Sequence, residues 1–175
     1  KHVRLVVALA ALVVVATFGA TAGQARVAAE PAVDPDLERQ VLLELNGARR
    51  AQGVAPLRRS PELTAAARAH ATSMGRLGFF SHTSADGTSY TRRIAAFYDD
   101  GGSSDWAVSE IIQWSQGAPS ATEALQAWLA SDDHRRELQR PLWREAGVGI
   151  VRVEAAPGVF GGRNVTILVV DFGRR

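Results

Sequence analysis

Three residues carry the metal chemistry this sequence offers: His82 behind Phe79-Phe80-Ser81, Glu110 within Trp106-Gln113, and His134 behind Ser131-Asp132-Asp133. Two imidazoles and a carboxylate suit a zinc ion that keeps a water in its fourth position and makes that water acidic. The separations, 28 and 24 residues, follow no compact ligand motif. Each residue therefore also has an ordinary role open to it: His82 in a turn, Glu110 as the buried partner of an arginine, His134 as a helix cap. Elimination narrows the rest. The 175 residues include no cysteine, and Lys1 is the only lysine. Disulfides, thiolate metal sites and a cysteine nucleophile are excluded, and so is a Schiff-base or P-loop lysine beyond the first residue. No Gly-x-Ser-x-Gly elbow, His-Glu-x-x-His helix, Walker loop or dinucleotide glycine motif is present. Ser81 beside His82 makes a poor nucleophile and base, because adjacent side chains of an extended chain point apart. Trp106, Trp114, Trp128 and Trp143 are expected to be packing residues.

The elements that must position these residues can be read from caps and periodicity. Asp34 followed by Pro35 opens a helix carrying Leu37, Val41, Leu45 and Ala48, which Gly53 ends. Ser60 and Pro61 open a second, with Leu63, Ala67, His70, Met74 and Leu77 on one stripe and Gly75 and Gly78 loosening its end. His70 is expected there as a packed, hydrogen-bonded core histidine. Asp86-Gly87 is a turn, a short helix is expected over 89–97, and a polar loop over 99–105. From Trp106 to Gln113 apolar residues alternate, setting Glu110 on a face with Val108 and Ile112, where a carboxylate needs a partner. Ser120 with Glu123 is a capping box for a helix that breaks near Ser131-Asp132-Asp133, with a short turn over 134–138. Val148 to Val153 and Val165 to Phe172 make an antiparallel hairpin joined through 158–164. Helices first and strands late give the α+β class.

Residues 1–25 are set apart from this body. A basic start, an uncharged apolar stretch and small residues at Ala20-Thr21-Ala22 and Gly23-Gln24-Ala25 describe a secretory signal peptide, with an uncleaved membrane anchor as the competing reading. Residues 26–33 are an Ala/Pro linker, and 34–175 the domain. Removing 1–25 takes away Lys1 and Arg4, so 20 − 2 = 18 basic residues face 18 acidic ones. No net positive field remains to argue for nucleic acid, and membrane contact is expected only through 1–25.

Five segments, taken in order, resemble the serial motifs of the CAP superfamily (cysteine-rich secretory proteins, antigen 5, pathogenesis-related 1) in its bacterial, disulfide-free form. They are Leu45-Asn46-Gly47-Ala48-Arg49-Arg50, Phe79-Phe80-Ser81-His82-Thr83, Ser109-Glu110-Ile111-Ile112, Trp128 through Arg135, and Glu145-Ala146-Gly147-Val148-Gly149-Ile150. The resemblance runs from about Leu37 to Gly173. It implies a three-layer α-β-α sandwich with a central antiparallel sheet, and a cleft in which His82, Glu110 and His134 meet and take Zn²⁺ or another divalent cation. The resemblance also implies a second acid between the first histidine and the Glu motif. Here residues 83–109 contain no Glu and only Asp86, Asp99, Asp100 and Asp105. Asp86 is the nearest substitute. Asp133 stands where the family has glycine and can serve as an acceptor orienting His134.

Two functions follow as expectations. The first is a non-enzymatic, secreted or envelope-associated bacterial module that binds a lipid, protein or other envelope ligand, with the histidine and glutamate cluster as its metal site. The second is a metal-dependent extracellular hydrolase of peptide or cell-wall substrates, with Glu110 as general base.

Overall fold

A computed structural model describes residues 29–175; the expected signal segment 1–25 lies outside them. The elements run β1 (Ala32–Val33), α1 (Pro35–Ala51), β2 (Arg58–Arg59), α2 (Pro61–Leu77), α3 (Tyr90–Ala95), β3 (Ala107–Gln116), α4 (Ala121–Ala130), α5 (Asp132–Leu138), β4 (Glu145–Ala156) and β5 (Arg163–Arg174). The sheet order is β1-β4-β5-β3, antiparallel throughout, with β2 joined in parallel to the start of β4. Local chemistry starts the helices where expected. Asp34 accepts from Leu37 N at 3.0 Å ahead of Pro35, and Ser60 does the same for α2 from Leu63 N at 3.1 Å. Ser120 and Glu123 close both halves of a capping box.

Three expectations need correction. The linker 26–33 is not free from Ala29 onward: Ala29 N donates to Glu154 O at 3.3 Å, and Ala32 and Val33 pair with Arg152 and Val151. The turn expected over 134–138 is part of a helix, α5, that begins at Asp132. Gly75 does not loosen α2. It lies inside the helix where a Cβ would come within 2.7 Å of Val153, so its lack of a side chain lets α2 settle onto the sheet.

The alternation of β3, β4 and β5 produces two unlike faces. Ile111, Val148, Ile150, Leu168, Val170 and Phe172 point to one side and pack with Leu37, Val41 and Leu45 of α1, Trp128 of α4 and Leu138 of α5. On the other side Ile112, Val151, Val153, Ile167 and Val169 receive Ala67, Ala71 and Met74 of α2, while Leu63 and Ala66 meet Ile94 and Tyr98. Helix α2 lies against the backbone of β4 itself. A Cβ at Gly147 would stand 2.1 Å from Leu63 C and Thr64 N, and one at Gly149 2.3 Å from Arg68 N. Helices on both faces make the three-layer α-β-α sandwich.

The first motif is structural. Asn46 donates to Leu57 O at 3.0 Å and accepts from Leu57 N at 2.7 Å. The fully buried Arg49 donates to the carbonyls of Ala55, Leu138 and Arg140, tying α1 to the chain after α5. Backbone carbonyls solvate its charge where no carboxylate does.

Candidate functional site

Glu110 sits mid-strand on β3, its side chain wholly buried on the α2 side of the sheet. A buried carboxylate persists only where donors replace water. Two donors do so. His82 Nδ1 lies 2.8 Å from Oε1, and the Arg93 guanidinium, from α3, donates to Oε2. A third group, His70 Nε2, stands 4.0 Å from Oε2. Arg93 also donates to His82 O and Ser84 Oγ, both at 3.0 Å, which fastens the loop carrying His82 to the same carboxylate.

His82 is held from two sides, by Glu110 and by the edge of Tyr90, whose ring centroid lies 6.2 Å away. With Nδ1 committed to Glu110, Nε2 is the ring nitrogen that faces outward. That atom makes no hydrogen bond among the described residues, and 48% of the side chain is exposed. Imidazoles that bind metals are commonly oriented this way, one N–H anchored on a carboxylate and the other nitrogen outward. His134 is carried toward β3 by α5, which packs against that strand. Partial burial is the main cause of its lowered pKa, with the charge of nearby His82 acting in the same direction and Asp133 opposing. His134 is therefore neutral, as a metal ligand must be.

The structure thus joins His82 directly to Glu110 and brings His134 within electrostatic range of His82. It does not gather the three as one donor set: among the described residues no group of three His, Asp or Glu is placed to hold an ion. Both Glu110 oxygens are occupied by nitrogen donors, which makes its observed position that of an orienting group. Asp86 caps its own turn by accepting from Thr88 N at 2.9 Å, and Asp133 pairs with Arg136 on the exposed side of α5. Neither bonds to His82, Glu110 or His134. Beside the cluster, a groove of about 290 Å³ is lined by Ala69, His70, Ser73, Leu77, Ser84 and Arg93.

His70 has the expected buried place, its Nε2–H donating to Ser81 O at 2.8 Å and its ring set edge-on to Phe79. Burial first lowers its pKa, Glu110 opposes, and Arg93 adds to the lowering. It is neutral, and it fixes the backbone just ahead of His82. Two site residues escaped the sequence reading. Arg93 is the arginine that Glu110 was expected to need, though nothing in the sequence singled it out from its neighbours. Asp171, on β5, stands directly opposite Glu110 in the strand pairing and is fully buried.

The family described as CAP, cysteine-rich secretory protein family, matches this chain over residues 42–172. No curated protein matches it. Among solved structures it is similar to an extracellular protein containing an SCP domain from Bacillus anthracis, with a TM-score of 0.63 and 21% identity, covering 81% of this chain and 41% of that one. It is also similar to an outer surface protein from Borrelia burgdorferi, at TM-score 0.62 and 22% identity over 83% of this chain and 98% of that one. A cysteine-rich secretory protein from Staphylococcus aureus matches at TM-score 0.56 and 14% identity, over 81% of this chain and 39% of that one. The chain therefore spans about two fifths of the Bacillus and Staphylococcus proteins and nearly the whole of the Borrelia protein. These likenesses show the fold. With the family match over most of its length, and no cysteine, the chain belongs to the CAP, or cysteine-rich secretory protein, family in a disulfide-free form.

Proposed function

We propose that this is an exported bacterial CAP module that binds a ligand or partner at the cell envelope, and that its cleft takes a divalent cation, zinc in the first instance, on His82 and His134. The supporting observation is the bond from His82 Nδ1 to the buried Glu110 carboxylate, which leaves Nε2 free and aligned by a fixed ring. Glu110 then orients a ligand instead of being one. When bound, the ion supplies a positive centre whose remaining positions take water or an oxygen of the ligand. Export is supported by the composition of residues 1–25 and by neighbours described as extracellular or outer-surface proteins. Binding is preferred over hydrolysis because Glu110, held by Arg93 and His82, is poorly placed to accept a further proton as general base.

Calorimetric titration with Zn²⁺ at about pH 7.5, beside His82→Ala and His134→Ala variants shown to fold, tests this reading. One-to-one binding lost in each variant is expected, weakening as pH falls below about 6.5 because protonated imidazole cannot ligate. Binding that survives both substitutions, or no binding at all, contradicts it.

A further inference from the structure

Two carboxyl groups meet inside this protein, and only one of them has donors. Glu110 and Asp171 are paired residues of β3 and β5, so their side chains leave the sheet on the same side. Both are buried, and as directly opposed residues of an antiparallel pair, whose Cβ atoms lie about 4.5–5.5 Å apart, their carboxyl groups share one small dry space. Glu110 accepts from His82 and from the Arg93 guanidinium. Neither oxygen of Asp171 accepts from any donor among the described residues.

Around Asp171, Glu110 comes from β3 and the charge of Arg93 from α3, while the residue directly across on β4 is Gly147, which has no side chain. Arg93 is close enough for its charge to be felt but forms its ion pair with Glu110. Two carboxylates side by side, out of water and with donors for one alone, cannot both stay ionised. A single proton resolves the arrangement, and it belongs on the group that has no donors. The group facing a guanidinium and an imidazole N–H keeps the charge.

We propose that Asp171 is held as the neutral acid, that its O–H donates to the Glu110 carboxylate, and that it is thereby a positioning residue keeping Glu110 against His82. Burial and the neighbouring Glu110 both push its carboxyl well above the usual aspartate range, in agreement with this arrangement. The inference holds whether or not the cleft takes an ion, because it is tested on metal-free protein.

Infrared spectroscopy separates a protonated carboxyl from a carboxylate by its C=O stretch. At about pH 7.5, where exposed carboxyls are ionised, the protein should show a carboxylic-acid band that is lost in Asp171→Asn. Absence of the band, or its persistence in Asp171→Asn, overturns the assignment. The positioning role is read from the ¹⁵N shifts of the His82 ring. Asp171→Asn, whose amide can donate as the acid does, should keep His82 in the Nδ1–H tautomer, whereas Asp171→Val should mix the tautomers. An unchanged His82 in a folded Asp171→Val overturns the role. Should Asp171→Val fail to fold, Asp171→Asn decides alone, since a shifted tautomer there overturns it and a retained one supports it.

Discussion

Ile111 and Val170 are paired on one face of the central sheet; one residue back along β3, Glu110 is paired with Asp171 on the other. The first pair packs among Leu45, Trp128 and Phe172 and has no polar partner to satisfy. The second occupies equally dry ground and survives only because Arg93, His82 and a proton answer its charges. The two faces share strands, length and burial, so the contrast isolates what the acidic side is for. Its apolar burial is given up to hold one imidazole in one orientation. A face built only for stability would have continued with valine and isoleucine.

Matched substitutions on the two faces sharpen this contrast. Arg93→Ala leaves Glu110 buried without its guanidinium partner and should cost about 3–5 kcal/mol in denaturant unfolding, with loss of Zn²⁺ binding as His82 and its loop are released. Phe172→Ala on the opposite face should cost a similar amount, about 3–5 kcal/mol through the cavity it leaves, yet retain Zn²⁺ binding wherever the protein stays folded. Equal loss of binding in both would show that the faces do not divide the work.

Acid gives a smaller effect, through the two histidines whose pKa is lowered by burial. The folded pKa of His70 is lowered, chiefly by burial, so the unfolded chain takes up a proton that the folded chain declines. Its contribution to stability is present above about pH 6.5 and is lost as pH falls through the folded value. His134 acts with the same sign. His70→Gln, which can still donate to Ser81 O, should flatten the decline in thermal midpoint between about pH 7 and 5. A decline as steep as in the parent protein would remove His70 from that role.

How much of this was legible followed the distance over which each signal acts. Asp34-Pro35, Ser60-Pro61 and Ser120 with Glu123 were readable because a cap involves residues within one turn. Alternation placed Glu110 correctly among buried neighbours and showed that it needed a partner. That the partner was Arg93 depends on how α3 folds back over β3, a matter of packing. Asp171 was hidden for a related reason. Inside Val169-Val170-Asp171-Phe172 it looks like one polar residue of an apolar hairpin, and only the β3–β5 register sets it against Glu110. Gly147 and Gly149 appeared as part of a motif, whereas their reason, the backbone of α2 lying where a Cβ would stand, exists only in three dimensions.

The central claim is that Glu110 orients while the histidines bind. Zn²⁺ titration of a folded Glu110→Gln variant beside His82→Ala tests it most directly. The amide can still accept from Nδ1–H but without charge, so affinity should fall about 10- to 100-fold with one-to-one stoichiometry kept, while His82→Ala abolishes binding. Glu110→Gln losing the ion as completely as His82→Ala would contradict the account and make the carboxylate a direct ligand.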